Sequence, residues 1–116
     1  MENTEQEKAK AFIIVEIIEY VPKSVVIKTI IKKTTGNVTV SSFDAGEILT
    51  EKTSPFDTFV QVIDGKTEIV INDQFHQLET GQSIIIPAHS RNIIKAIERF
   101  KIISTVIKSG YEGMTI

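Results

Sequence analysis

Apolar residues recur along this chain in short runs, separated at roughly ten-residue intervals by Gly, Asn, Asp and Pro. The stretch SVVIKTIIKK, Ser24 to Lys33, is dominated by Val, Ile and Thr, whose branched side chains suit a pleated surface, and it predicts a strand. NVTVSSF, Asn37 to Phe43, resumes that composition, so Lys32 to Val38, with Gly36-Asn37 inside it, reads as a hairpin connection. Further strands are expected at Phe59 to Ile63, at Thr67 to Ile71 after an Asp64-Gly65 turn, and at Phe75 to Leu78 after Asn72-Asp73. Ser83 to Ile86 follows Thr80-Gly81, and Arg91 to Ile97 and Lys101 to Lys108 complete the set. Many short strands without a sustained helical period predict an all-β sandwich or barrel.

The N-terminal third is less regular. In AFIIVEIIEYV, Ala11 to Val21, the β-branched residues favour a strand, while Glu16 and Glu19 three apart also suit a short helical turn; a strand is expected. Pro22 ends it. Its apolar surface exceeds what a small monomer exposes comfortably, which points to a homodimer. Residues 1–10 alternate in charge and read as a loose tail, and SGYEGMTI at the other end reads as surface.

Composition narrows the classes. A chain of 116 residues is one domain, long enough to bury a core without covalent staples, and it has no cysteine for disulfides or thiolate chemistry. Thirteen basic against fifteen acidic side chains, with no basic segment, argue against nucleic acid as a partner. No apolar run is long enough to span a bilayer, and the first twelve residues lack the pattern of a secretory leader, so a cytoplasmic location is expected.

Two stretches then bring a family into view: GEILTEKTSPFDTFVQVIDG, Gly46 to Gly65, and GQSIIIPAHSRN, Gly81 to Asn92. Their glycine and proline spacing resembles the two motifs of the cupins, G-x5-H-x-H-x(3,4)-E-x6-G and G-x5-P-x-G-x2-H-x3-N. The resemblance runs from about Ser24 to Lys108 and implies a double-stranded β-helix, that is, a jelly-roll barrel. In the family the three histidines and the glutamate hold a first-row metal inside the barrel. Here the corresponding positions carry Lys52, Ser54, Asn92 and, for the glutamate, Thr58. The motif's inner glycine is His89, and its final asparagine is Ala96. None of the four usual ligands survives, so neither a metal nor another cofactor is expected. Shifting the register by one would select Glu51, Thr53 and Asp57, but it turns every side chain to the other face of the strand.

The candidate site residues are therefore Lys52, Ser54, Thr58, Asn92 and His89. Lys52, if it points into an apolar barrel, has the chemistry of an amine base or an anchor for an anion; Ser54, Thr58 and Asn92 offer neutral hydrogen bonds; His89 stands in the turn after Pro87, beside the mouth. His76 reads as a half-exposed strand residue, Arg91 as a lone loop cation, and Phe43, Phe56, Phe59 and Phe100 as packing residues. Three functions fit: a metal-free barrel binding a small polar or anionic molecule; an enzyme, isomerase- or epimerase-like, acting on a small polar or sugar-like substrate; or an interaction protein with a filled barrel. Metal analysis of protein purified without chelator is expected to find no stoichiometric transition metal. A full equivalent would sink the argument from the lost ligands.

Overall fold

Two strands much longer than the others determine the architecture. The computed structural model describes residues 5–51 and 53–111. These form β1 (Val25–Lys33), β2 (Gly36–Phe43), β3 (Ile48–Glu51), β4 (Asp57–Ile71), β5 (Gln74–Glu79), β6 (Ser83–Ile86) and β7 (Asn92–Ile107). β4, of 15 residues, and β7, of 16, run antiparallel along almost their whole length. Past their middle they change partners. The half of β7 from Phe100 to Ile107 pairs with β2, and the half of β4 around Thr58–Gln61 pairs with β6, giving a first sheet in the order β1-β2-β7-β4-β6. The other halves pair with β3 and β5, giving a second sheet in the order β3-β7-β4-β5. The two sheets share β4 and β7 and enclose one core, which makes the fold an all-β jelly-roll barrel.

The bend has a local cause. Register shifts fall between Val62 and Asp64 and between Gly65 and Thr67, and they move the inward-facing set of β4 from Thr58, Val60 and Val62 to Thr67, Ile69 and Ile71. Gly65 lies at φ +86, and a Cβ there would stand 2.0 Å from the Arg99 carbonyl oxygen. Asp64-Gly65, expected as a turn between two strands, is therefore a bulge within one strand, because continuous pairing with β7 holds both sides of it. For the same reason the two strands expected at Arg91–Ile97 and Lys101–Lys108 are one. Phe100, paired with Gly65, turns inward and stacks on Phe43 with ring centroids 4.4 Å apart. Both rings are fully buried, and each contributes about 1.5–3 kcal/mol of burial free energy.

Turn chemistry is right at some joints and displaced at others. Asn72 and Asp73 both have positive φ, 48° and 70°, as a two-residue hairpin turn between β4 and β5 requires. Gly36, expected in a turn, begins β2 opposite Lys33, and Thr34-Thr35 makes the turn instead. Glycine is needed at 36 because a Cβ would meet the Val106 carbonyl oxygen at 2.5 Å. The four-residue β3 has no signal strong enough to predict it.

Residues 11–21 are not a strand. They hold a single 3-10 turn, Ile14–Glu16, in an otherwise irregular strap across the outer face of the first sheet. Ile18 is buried there with Ile30 and Val40, and Ile14, Ile17, Val38 and Ile103 pack around them. A strap without a neighbouring strand must satisfy its carbonyls otherwise. Side chains of the sheet do this: Lys101 Nζ donates to the Val15 carbonyl (2.6 Å), Ser42 Oγ to that of Glu19 (2.8 Å) and Lys28 Nζ to that of Ile17 (3.4 Å). Before the strap, Gln6 N–H bonds the Ile30 carbonyl and Glu5 accepts from Lys32 N–H. Phe12, Ile13 and Val21 stay exposed, so only part of the apolar surface expected to pair with a second copy remains outside.

The end of the strap is fastened by charge. Tyr20 OH donates to Asp64 (2.6 Å), with Arg99 and Lys101 over its ring at 5.3 and 4.9 Å. Desolvation, and then the bond to Asp64, push its phenol well above the usual range. Asp44 accepts from Lys23 N–H (2.7 Å) and from Arg99 Nε (2.8 Å), which in that order hold its carboxyl down at about 2.

Two predictions follow from the bend and the fastening. Gly65→Ala is expected to destabilise the protein by about 2–4 kcal/mol, since it adds a backbone clash to the roughly 1–2 kcal/mol of a left-handed alanine. Gly81→Ala, at φ +92 but in open space, is expected to cost only the latter; equal urea midpoints for the two variants would refute the close-approach explanation. Because the Asp44 carboxyl is depressed on folding, its contribution is present in full above the ordinary carboxylate pKa and is lost as pH falls through about 2. Urea midpoints measured from pH 5 to 2 should thus fall less steeply in Asp44→Asn than in the parent.

Candidate functional site

The space between the sheets is closed at one end by the Phe43–Phe100 stack and left open at the other. A cavity of about 130 Å³ lies there. Its apolar wall includes Phe43, Leu49, Val60, Ile86, Ile94 and Ile102. Every polar side chain described in its lining is a hydroxyl or an amide: Thr39, Ser41, Ser54, Thr58, Ser90, Asn92 and Ser104. Exposed Ile27 and Pro87 mark its solvent side.

Strand alternation positions most of these groups. On β2 the outward residues Val38 and Val40 lie under the strap, so Thr39 and Ser41 between them face the interior. On β7 the inward set runs Asn92, Ile94 and Ala96 before the bend, then Phe100, Ile102 and Ser104 after it. Ser104 pairs with Thr39, so their hydroxyls share the wall of the first sheet, whereas Asn92 lies on the second sheet between Glu51 and Ile71. Asn92 is 5 % exposed, and its Oδ1 is buried without a hydrogen-bond partner in the protein. An acceptor left bare in this way costs about 1–3 kcal/mol. It is the one buried side-chain nitrogen or oxygen without a partner among the described residues.

Two loops cover this end. The β3–β4 loop brings Ser54 and Phe56 to the cavity, and the β6–β7 turn brings Pro87 and Ser90. They are joined to each other: His89 N–H donates to the Ser54 carbonyl (2.6 Å), and Ala88 N–H donates to Asp57 Oδ1 (2.7 Å). Ser90 Oγ donates to the Pro87 carbonyl within the turn, and Ser54 Oγ accepts from Phe56 N–H. Tyr111, beyond β7, accepts a hydrogen bond from Asp57 N–H (2.8 Å) and sets its ring 6.0 Å from that of Phe56. The cover is thus held at both ends.

Of the residues singled out in the sequence, Ser54, Thr58 and Asn92 line the cavity. Lys52 and the side chain of Glu51 lie outside the described residues. His89 is exposed and is not part of the lining; its backbone, at φ +65, occupies the left-handed position where the motif has glycine. Arg91 is exposed, and His76 is half-buried on β5. Thr39, Ser41, Ser90, Ser104 and Tyr111 were not anticipated. For Thr39 and Ser41 a signal existed in V-T-V-S, where hydroxyls alternate with valines and so share one face.

The donor set does not fit a metal centre. No three His, Asp or Glu side chains converge among the described residues, and the lining offers neutral oxygens where a first-row divalent ion prefers imidazole and carboxylate.

Comparison with known proteins agrees with this architecture. No protein-family model matches the chain, and no curated protein matches it in sequence. Solved structures do match. A conserved protein of unknown function from Streptococcus pyogenes superposes with a TM-score of 0.86 at 25 % identity, covering 91 % of this chain and 93 % of that one. A cupin superfamily protein from Desulfitobacterium hafniense gives 0.84 at 20 % identity, covering 94 % and 100 %. A cupin 2 conserved barrel domain protein from Leptotrichia buccalis gives 0.78 at 27 % identity, covering 81 % of this chain and 46 % of that one. Two sheets sharing their long strands around an interior cavity define a single jelly-roll barrel. The chain has the fold of a small cupin domain.

Proposed function

We propose that the protein binds a small molecule in the cavity between its sheets and does so without a metal. The observation that carries this is the bare Oδ1 of Asn92, an acceptor buried at the position where the family motif has a metal-binding histidine. A folding requirement alone would favour an apolar residue there, since the neighbouring inward positions Ile71 and Ile94 are apolar. A ligand that hydrogen-bonds the Asn92 amide from the cavity gives the polar group a purpose. The volume suits a compact molecule, as a cavity of roughly 150 Å³ accommodates benzene.

Against catalysis stands the lining itself, in which no described side chain titrates near neutral pH to act as acid or base. Against a filled barrel stands the open volume. Binding is the reading that these observations favour.

Asn92→Leu replaces the amide by an apolar group of similar size. It is expected to raise the stability of the ligand-free protein by about 1–2 kcal/mol while abolishing ligand binding. Thermal-shift measurement of the parent and the variant against a library of neutral and charged metabolites tests both halves. Compounds that stabilise only the parent support the reading. A library that shifts neither, or shifts both alike, overturns it.

A further inference from the structure

The cavity has two polar regions on opposite walls. Thr39 and Ser104 are register partners on β2 and β7, with Ser41 two residues along β2 on the same face. Together they make a hydroxyl cluster on the first sheet. Asn92 faces them from the second sheet, because β7 bends at Phe100 between Asn92 and Ser104 and carries its two halves into different sheets. Phe43, Val60, Ile94 and Ile102 belong to the same lining and are apolar. Ser90 is already engaged with the Pro87 carbonyl and Ser54 with Phe56 N–H, so the cluster, Thr58 on β4 of the same sheet, and the amide are the polar groups disposed toward a guest.

Charge is the other half of the pattern. Hydroxyls and an amide replace only part of the hydration that a carboxylate or an ammonium gives up on entering an enclosed space, and the described lining holds no ion to compensate. A neutral hydroxyl or amide has no such deficit. It can hydrogen-bond the Asn92 amide at one end and exchange hydrogen bonds with Thr39, Ser41 and Ser104 at the other.

We infer that the ligand class is a compact, uncharged molecule with hydrogen-bonding groups at two opposed positions across an apolar middle, such as a cyclic diol or a hydroxylated lactone or lactam. This rests on the reading of the cavity as a binding site. It adds that the site selects against ions and reads both ends of its guest.

Three probes of one skeleton test it: trans-cyclohexane-1,4-diol, cyclohexanol and trans-4-hydroxycyclohexanecarboxylate, titrated into the isotopically labelled protein and followed by amide chemical shifts. The diol is expected to perturb Ser41, Asn92 and Ser104 and to bind about tenfold more tightly than either other probe. Asn92→Leu and Ser104→Ala should each bring its affinity down to that of cyclohexanol. Two variants on different sheets guard against a fold defect in one. Equal binding of diol and cyclohexanol overturns the two-ended recognition. Tighter binding of the carboxylate, lost in Lys52→Gln, overturns the selection against ions and leaves the binding reading standing. If no probe moves the cavity resonances and the metabolite library is silent as well, the binding reading fails and takes the inference with it.

Discussion

The close approach of Gly65 to the Arg99 carbonyl is the constraint on which the rest of this barrel depends. β4 and β7 are each too long to stay in one twisted sheet, and they bend together where a side chain is missing. That bend hands each strand from one sheet to the other, so two sheets are made from a shared pair. It also reverses which residues of β4 face inward and drives Phe100 onto Phe43. The aromatic stack then closes one end of the interior. What is left at the other end is the cavity, whose walls are the continuations of the same two strands.

A second constraint acts on the outer face. The first sheet carries Ile30, Val38, Val40 and Ile103 outward as well as a core inward, and an apolar face of that kind has to be covered. The strap from Ile14 to Ile18 covers it without becoming a strand. Lys28, Ser42 and Lys101 make this possible, because they supply to strap carbonyls the donors that a ladder would otherwise provide. Polar residues on the sheet are thus part of its hydrophobic packing. Tyr20, between Arg99 and Lys101 and bonded to Asp64, joins the strap to the bend itself, so the cover and the fold's pivot are held by one group of side chains.

These features were unequally legible in the sequence. Strand composition and the Asn72-Asp73 turn are local properties, and they led to an all-β barrel with most strands in place. Asp64-Gly65 has the composition of a turn, and only pairing with a strand thirty-odd residues away makes it a bulge. The isoleucines of the strap have strand propensity, but propensity does not reveal whether a neighbouring strand edge is free to receive them. The site divides in the same way. Ser54, Thr58 and Asn92 follow from motif spacing, whereas Thr39, Ser41 and Ser104 enter through tertiary placement on strands outside the motifs. His89 shows the limit of spacing: its position in the turn is as expected, while its side chain is exposed and outside the cavity lining.

The chemistry of the interior now follows from what occupies the motif positions. Removing metal ligands from a barrel would leave empty space that apolar side chains could fill, with a gain in stability. Here the space persists, and it is rimmed by hydroxyls on one sheet and a buried amide on the other. Seven polar side chains around a small volume reduce the hydrophobic stabilisation of the core, and Asn92 adds the cost of a bare acceptor. Such costs accumulate at functional sites, where stability is given up for recognition. The loops tied together by Asp57, His89 and Tyr111 fit the proposed binding role, because a cover fixed by backbone and side-chain hydrogen bonds keeps the polar groups of the lining at set separations.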